Sequence, residues 1–435
     1  MKLIGEPIDV SKHLRGARDD NDWTFLYADT RTLTHCFHDY PARMIPQVAG
    51  KLLDLYAAPG KLLLDPYCGV GTSLVEAARR GINSIGSDIN PLAALIAEAK
   101  VSVSSTKTLN TTRKAIARFS EYTKNHATRV DSVPDSIAGI TNLGFWFNPE
   151  ILPDLVFIKQ FVDRIRSRPT SLFFKTAFSE TVRESSNTRL SEFKLYRYAP
   201  EKLRNWHPQP IEIMQKKLNR NLAGAEKFVA ELDSGKTKYR SKVLSFNSVV
   251  EIPIDDVLPE SVDIVITSPP YGDSHTTVAY GQFSRLSAAW LGLPNPAQVD
   301  GLLMGGGGGR KKNLLPTGSS SIDTAIRAIA AVDAARANEV YAFYADLGES
   351  IAHVASRMKH GGYVCYVVGN RRVKSIELPT DAFIRDKFSL LGFEHIQTAV
   401  RSIPNKRMPS VNSPTNVAGA VDPTMTTEYI VVMRR

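Results

Sequence analysis

The chain has 435 residues, of which 43% are hydrophobic and 23% are charged, and this balance excludes a disordered or fibrous protein. Its 54 Lys and Arg against 44 Asp and Glu give a net charge of +10, which permits nucleic acid as a partner without establishing it. The length predicts two or three domains of roughly 100–200 residues each.

Neither membrane insertion nor export is indicated. No window approaches about 18 consecutive apolar residues, and the N-terminal segment MKLIGEPIDVSKHLRG lacks the apolar core of a signal peptide. Cys36, Cys68 and Cys365 form neither a disulfide framework nor a metal-ligand spacing. We therefore expect a reduced, cytoplasmic protein with no membrane partner and no bound metal.

The positive charge is concentrated in one segment. Residues 1–158 are neutral overall, 159–240 carry a net +9, 241–365 carry −3 and 366–435 carry +4. A helical face of solvated Lys and Arg explains the surplus as well as a nucleic-acid surface does. The motifs on either side of this segment must distinguish the two interpretations.

From residue 62 onwards, short apolar runs alternate with helical patterns. Residues 62–65 predict a strand, 72–80 a helix, 82–88 a second strand and 91–100 a second helix. This β-α-β-α order predicts an α/β fold with a doubly wound sheet.

Residues 101–240 interrupt that pattern with long amphipathic stretches and few strand signals. They predict a mainly helical insertion that separates 1–100 from 241–435, the two parts of one catalytic domain. A loop with five consecutive glycines, 305–309, precedes a basic triplet. Helices are predicted at 112–125, 149–166, 209–233, 339–359 and 380–391, and further strands at 243–246, 262–267, 363–369 and 428–433.

The turn after the first strand, DPYCGVGTS, has the character of a cofactor loop. Gly69 and Gly71 permit a tight turn that brings main-chain N–H groups close to a ligand. A dinucleotide-binding loop is the obvious competitor. However, Leu74 stands where its third glycine belongs, and Asp65 would repel a pyrophosphate. A carboxylate at this point suits a ligand with an ammonium group, such as the methionine part of S-adenosylmethionine.

An acidic residue also ends the second predicted strand. Asp88 stands where related sheets place the acid that accepts hydrogen bonds from ribose hydroxyls. The alternative is that Asp88 caps the following helix, although Asn90 before Pro91 suits that role better.

The segment VDIVITSPPYG carries the most information about chemistry. A buried strand leads directly into Ser268, Pro269, Pro270 and Tyr271, at the end of a strand where open α/β sheets bind ligands. Tyr271 can stack on a planar base, while the Ser268 hydroxyl and the Pro269 carbonyl accept hydrogen bonds from an exocyclic amine. A plain Pro-Pro turn is the alternative, and the nearby cofactor loop argues against it.

Together these motifs resemble the DNA amino-methyltransferases, which modify the N4 amine of cytosine or the N6 amine of adenine. DPYCGVGTS is similar to their cofactor motif, TSPPY to their catalytic motif, and THCFHDYPARMIPQVAGKLL (34–53) to the segment that packs over the methionine end of the cofactor. The resemblance implies a Rossmann-like methyltransferase sheet and S-adenosylmethionine as cofactor. Serine in the first catalytic position favours the N4-cytosine branch, with N6-adenine as the alternative.

The resemblance also assigns roles residue by residue. Asn247 stands where the family often has an aspartate that contacts the adenine amino group, and an amide oxygen can accept the same bond. His35 and Phe37 fall in the leading segment. The implied catalytic residues are Ser268, Pro269, Pro270 and Tyr271, and the implied cofactor-binding residues are Asp65, Tyr67, Gly69, Gly71, Thr72, Asp88, Ile89, Asn247, His35 and Phe37.

An enzyme of this kind must flip its target base out of duplex DNA, and phosphate contacts offset that cost. The basic insertion is the natural source of such contacts, with the glycine-rich loop and the segment 401–414 as further candidates. The DNA-contacting residues we predict are Arg183, Arg189, Lys194, Arg197, Arg310, Lys311, Lys312, Lys406 and Arg407.

Two other functions remain open at this stage. One is an RNA amino-methyltransferase, such as a guanine-N2 enzyme acting on tRNA, although the roughly 60 residues before the cofactor loop are too few for its usual RNA-binding domain. The other is a non-catalytic DNA-binding protein on a methyltransferase scaffold. The favoured DNA enzyme would work at the nucleoid of a prokaryotic cell, with a cognate restriction endonuclease as a possible partner.

Overall fold

A computed structural model describes residues 22–125, 133–272, 278–306, 314–403, 411–412, 422–423 and 425–435. The first 21 residues, and with them the N-terminal segment considered above, lie outside the described residues.

Seven strands in these ranges form one main sheet, in the order β3-β2-β1-β4-β5-β11-β8. The first five are mutually parallel, whereas β11 runs antiparallel to both of its neighbours. The order reverses between β1 and β4, so the carboxyl ends of these two strands lie side by side and leave a crevice. The strands are β1 (Leu62–Asp65), β2 (Asn83–Ser87), β3 (Ser241–Leu244), β4 (Val262–Thr267), β5 (Met358–Val368), β8 (Glu394–Ser402) and β11 (Thr427–Arg434).

Alternating side chains bury both faces of this sheet. Leu63 and Ile264 pack on one face in a cluster with helices α1 and α2, whereas Leu64 and Val265 pack on the other with α12, α13 and α14. The sheet is therefore doubly wound, as predicted. These helices are α1 (Pro46–Tyr56), α2 (Thr72–Arg79), α12 (Ser320–Ala330), α13 (Ala334–Ala355) and α14 (Thr380–Leu390).

Helices also dominate the described part of the insertion. The chain returns to the sheet at Ser241, the first residue after the predicted insertion, and this strand lies two residues before the one predicted at 243–246. The insertion contains α4 (Thr106–Asn125), α5 (Leu143–Trp146), a 3-10 helix (Pro149–Ile151), α6 (Leu152–Asp163), α7 (Arg168–Ser185), α8 (Pro200–Leu203) and α9 (Pro210–Ser234).

The described residues of the insertion share a hydrophobic core with the catalytic part of the chain. Phe173 of α7 and Leu218 of α9 belong to the same buried cluster as Ile96 of α3 (Pro91–Ser102) and Trp290 of α10 (Tyr280–Trp290). Phe173 also packs edge-on against Phe37, with ring centroids 5.3 Å apart. The division at 101 and 240 therefore marks a change of secondary structure rather than two cores.

Helix α9 holds the 3-10 helix Leu33–Phe37 that precedes the catalytic sheet. A side chain at Gly224 would collide with the carbonyl of Leu33, so only glycine permits this approach. Arg220 and Asn221 donate to the Phe37 carbonyl at 2.8 and 3.2 Å. The insertion thus fixes the segment that leads into the cofactor region.

Short elements complete the described chain. α11 (Val299–Leu302) precedes the glycine-rich loop, β6 (Arg371–Val373) pairs with β7 (Ile376–Leu378), and β9 (Val411–Asn412) pairs with β10 (Asp422–Pro423).

Candidate functional site: a cleft at the strand ends

An open cleft with an empty volume of about 940 Å³ lies at the carboxyl ends of β1, β2, β3 and β4. The reversal of strand order places the cofactor loop on the same cleft as Ser268 and Pro270, whereas Pro269 and Tyr271 do not line it. Its wall comprises Tyr40, Pro41, Ala42, Arg43, Met44, Asp65, Pro66, Tyr67, Cys68, Gly69, Val70, Thr72, Asp88, Ile89, Asn90, Phe246, Asn247, Ser248, Val249, Ser268, Pro270, Tyr280, Leu302, Leu303 and Met304.

Asp65 ends β1 at the base of the cleft and joins the two motifs. Its carboxylate accepts hydrogen bonds from the hydroxyls of Ser73 and Thr267, the latter at 2.6 Å, and from the Tyr67 N–H at 3.2 Å. Burial raises the pKa of Asp65 to about 6, and the two hydroxyls limit the rise. A ligand ammonium would favour the charged carboxylate.

The two glycines shape the loop in different ways. Gly71 has φ +76°, and a Cβ there would lie 3.0 Å from the Ala97 backbone, so glycine lets α2 begin close against α3. Gly69 directs its N–H to the Asp88 carboxylate at 3.0 Å. Within this loop, Gly69 and Thr72 line the cleft, and Gly71 lies behind them.

Asp88 faces the cleft and does not cap α3. Its carboxylate accepts from the backbone N–H groups of Gly69 and Asn90, the latter at 2.8 Å, while Asn90 caps the helix by accepting from Leu92 N–H. Burial raises the pKa of Asp88 to about 6. Ile89 lies beside it in the same wall.

Asn247 lies across the cleft in the turn after β3. Its amide oxygen accepts the Val249 N–H at 3.0 Å, which leaves one oxygen lone pair for a ligand. The hydroxyl of Tyr67 bonds to Ser350, and Ser350 donates to the Ser248 hydroxyl at 2.9 Å. This chain joins the cofactor loop to the 246–249 turn through helix α13.

The leading segment reaches the cleft with different residues from those predicted. His35 is buried against Glu76, with Nε2 and Oε1 2.9 Å apart, and Phe37 is buried against Phe173. Neither lines the cleft, because the 3-10 helix turns both side chains into the protein. Residues 40–44 supply this wall instead, so the assignment of His35 and Phe37 to the cofactor is corrected.

Ser268 and Pro270 form the part of the cleft wall that follows strand β4, while Pro269 is buried behind them. Tyr271 is half-buried, and its hydroxyl donates to Glu428 at 2.9 Å. Burial and the negative charge of Glu428 raise the pKa of the Tyr271 phenol well above its usual value, so the hydroxyl keeps its proton.

Sequence reasoning did not single out Tyr40, Tyr280 or Glu428. The Tyr40 and Tyr280 rings stack with centroids 6.0 Å apart, and Asn90 bonds to the Tyr40 hydroxyl at 2.8 Å. Tyr40 lies within the 34–53 segment, so the resemblance contained a signal for it. No local pattern marked Tyr280 or Glu428.

The predicted DNA-contacting residues fall into three groups. Arg183 is a correction: α7 buries it, and its guanidinium stacks on Phe283 and bonds to the Glu192 carbonyl. Arg189, Lys194 and Arg197 lie on a turn closed by pairing of Thr188 with Arg197. Arg310, Lys311, Lys312, Lys406 and Arg407 lie outside the described residues.

That turn lies next to the cleft. Leu195 N–H donates to Gln282 Oε1 at 3.2 Å, and Gln282 is in the first turn of α10, two residues after the cleft residue Tyr280. Arg189 is exposed, whereas Arg197 stacks on Phe145 and donates to its carbonyl at 2.8 Å. Arg189 is therefore the exposed charge on this turn, whereas Lys194 and Arg197 are partly buried.

Neither a metal site nor a membrane-spanning helix occurs among the described residues. No group of His, Cys, Asp and Glu could hold a metal ion, and no helix is both long and apolar enough to cross a membrane.

The sheet order, the acid-ended cofactor loop and the adjoining SPPY tetrapeptide define an S-adenosylmethionine-dependent methyltransferase. No family model matches the chain. It is, however, 39% identical to the Type II methyltransferase M.MvaI from Kocuria varians over 448 aligned residues, covering 98% of this chain and 96% of the relative. The chain therefore belongs to the Type II DNA methyltransferases.

A second relative matches over a shorter stretch. The Type II methyltransferase M.MjaII from Methanocaldococcus jannaschii is 43% identical over 67 residues, 15% of this chain and 13% of the relative. Among solved structures, TrmN from Thermus thermophilus has a TM-score of 0.30 and the rRNA methyltransferase aviRa from Streptomyces viridochromogenes one of 0.35, each at 10% identity. Both matches cover 91% of this chain, with 50% of TrmN and 86% of aviRa. These scores are too low to support an argument about activity.

Proposed function

We propose that this protein transfers a methyl group from S-adenosylmethionine to the N4 amine of a cytosine flipped out of duplex DNA. The observation that carries the proposal is the presence of Ser268 and Pro270 in one cleft with Asp65 and Asp88. Asp65 suits the ammonium group of the cofactor and Asp88 its ribose hydroxyls. A base seated against the tetrapeptide therefore adjoins the cofactor region.

The chemistry follows from these groups. S-adenosylmethionine supplies a methyl group on a positively charged sulfur. The Ser268 hydroxyl oxygen and the Pro269 carbonyl accept hydrogen bonds from the target amine, which draws its nitrogen towards a tetrahedral geometry and frees the lone pair. The N–CH₃ bond would form as the methyl–sulfur bond breaks and leaves a neutral thioether, and the methylated nitrogen would then lose one proton to water. Tyr271 stacks on the base and holds it in place.

The choice of cytosine rests on serine in the first catalytic position. The test is to incubate the protein with plasmid DNA and labelled cofactor, then to identify the modified nucleoside by mass spectrometry and its position by direct sequencing. We expect N4-methylcytosine at one short sequence. N6-methyladenine as the product would make the branch assignment wrong, and methylation of transcribed tRNA alone would favour the RNA enzyme.

DNA contact would come chiefly from the insertion. We propose that Arg189, Lys194 and Arg197 contact phosphates beside the cleft, since the turn that carries them packs against the start of α10. Residues 310–312 and 406–407 are proposed as further contacts. Base flipping and a target-recognition role for 101–240 belong to the same proposal.

A cognate restriction endonuclease is the partner that we propose for this enzyme in a prokaryotic cell. The support is that the chain belongs to the Type II methyltransferases, a class of restriction-modification enzymes. Plasmid DNA methylated by the protein should resist an endonuclease that recognises the mapped sequence, and continued cleavage would argue against the pairing.

A further inference from the structure

A serine hydroxyl both donates and accepts hydrogen bonds, whereas the proposed transfer requires Ser268 to accept from the target amine. An aspartate at this position would be an acceptor without further help. With serine, some other group must take the hydroxyl proton away from the amine.

A chain of hydrogen bonds leads from Ser268 to the far edge of the sheet. The Ser268 and Tyr271 hydroxyl oxygens are 3.2 Å apart, and the Tyr271 oxygen is 2.9 Å from Glu428 Oε1. Arg401 Nη1 bonds to the other Glu428 oxygen at 2.6 Å. Glu428 and Arg401 are direct partners in the β11–β8 ladder, and their side chains are 15% and 6% exposed.

The carboxylate of Glu428, at the end of this series of hydrogen bonds, determines which hydroxyl donates to which. A carboxylate has no proton to give, and the Arg401 guanidinium on its other oxygen can only donate. The Tyr271 hydroxyl must therefore donate to Glu428, so its oxygen is left to accept the Ser268 proton. The Ser268 lone pairs then face the cleft. We propose, on the basis of the function proposed above, that Glu428 is a positioning residue: held by Arg401, it makes Ser268 an acceptor towards the target amine.

An isosteric substitution can reverse this direction without removing atoms. In Glu428→Gln, the amide oxygen should turn towards Arg401, which can only donate, and the amide NH₂ then faces Tyr271. The phenol would accept from that NH₂ and donate to Ser268, whose own proton would point at the amine. The same pairs of groups would remain hydrogen-bonded, but each hydrogen bond would be donated in the opposite direction.

The first test compares single-turnover methyl transfer to plasmid DNA by the native protein and by Glu428→Gln. We expect the rate to fall on the order of tenfold, less than the 10²–10³ typical of losing a direct transition-state contact. The affinity for S-adenosylmethionine and the melting temperature should stay near native values. A native rate would overturn the proposal. A fall in affinity and in melting temperature together with the rate would also overturn it, because a merely structural role predicts that all three decrease.

A double-mutant cycle tests whether Glu428 acts through the phenol. Tyr271→Phe keeps the ring but breaks the chain, so adding Glu428→Gln to it should cause no further loss. Additive losses would show that Glu428 acts elsewhere and would overturn the proposal.

Glu260→Gln is the matched control, because Glu260 pairs with Arg435 just beyond the other end of β11 and its side chain is 56% exposed. Its transfer rate should be native. If the native protein methylates no DNA at all, the proposed function fails; if it does and Glu428→Gln is equally fast, only the role of Glu428 fails.

Discussion

The cofactor and target sides of the cleft are built from different ranges of the sequence. On the cofactor side, Asp65 and Asp88 are held mainly by groups within about 20 residues, including Ser73 and the Gly69 N–H. On the target side, Ser268 and Tyr271 depend on Glu428, which lies 157 residues beyond Tyr271. Apart from the Thr267 hydroxyl, which also bonds to Asp65, the contacts that hold these two carboxylates are local, whereas Tyr271 is held by a strand at the far end of the sequence.

The largest effect is expected on the target side. Ser268→Ala removes the acceptor for the target amine, so the rate of methyl transfer should fall on the order of 10²–10³. The affinity for S-adenosylmethionine, measured by calorimetry, should change by no more than about twofold. A rate near that of the native enzyme would show that Ser268 does not contact the amine.

On the cofactor side, Asp88→Asn should act in the opposite way. It replaces a charged acceptor with a neutral one, so the dissociation constant for S-adenosylmethionine should rise about tenfold. Transfer at saturating cofactor should be nearly native. Asp54→Asn provides a control, because that carboxylate is 62% exposed on α1. Unchanged affinity in Asp88→Asn would exclude the ribose role.

The pH dependence of cofactor binding should distinguish the two sides further. Burial raises the pKa of Asp65 and of Asp88 to about 6, and the roles proposed for them require both carboxylates to be charged when the cofactor binds. Affinity should therefore be nearly full above about pH 7 and fall as the pH decreases through 6, by about tenfold per carboxyl between pH 7 and pH 5.

Calorimetry across this pH range is the appropriate measurement, and Asp88→Asn should remove about half of the logarithmic change. An affinity that is constant from pH 7 to pH 5 would show that neither carboxyl must be charged for the cofactor to bind.

The smallest effect is expected at the surface of the insertion. Arg189→Ala and Lys194→Ala should each weaken DNA binding modestly and reduce the slope of log affinity against log salt by about one. Arg168→Ala is the control, since Arg168 begins α7 and lies about 27 Å from the other end of that helix. Equal slopes in all three variants would favour the solvated-face interpretation.

The same contrast explains what could be predicted from the sequence. The doubly wound sheet, the cofactor loop and the SPPY strand rest on local patterns, and the structure contains each of them. Strand β8 was missed because it is a mostly exposed, polar edge strand without an apolar run. Glu428 was missed because its partner is set by strand order and by ladder register, neither of which a motif contains.

The three residues whose assignments were corrected share one physical origin of error. His35, Phe37 and Arg183 were assigned to ligands by residue type and position, but the packing of helices decides which way each side chain faces. Phe37 packs on Phe173 of α7, His35 on Glu76 of α2, and Arg183 on Phe283 of α10. A basic residue in a basic segment is therefore weak evidence for a phosphate contact when its helix is packed on several sides.

The collision that any side chain at Gly224 would make with Leu33 also limits how this enzyme can be re-engineered. Residues 101–240, moved as a cassette into another scaffold, would arrive without the short helix on which α9 rests. Removing them would leave the wall formed by residues 40–44 without its support. Changes to residues 101–240 should therefore be made as individual surface substitutions, with the surrounding helices kept in place.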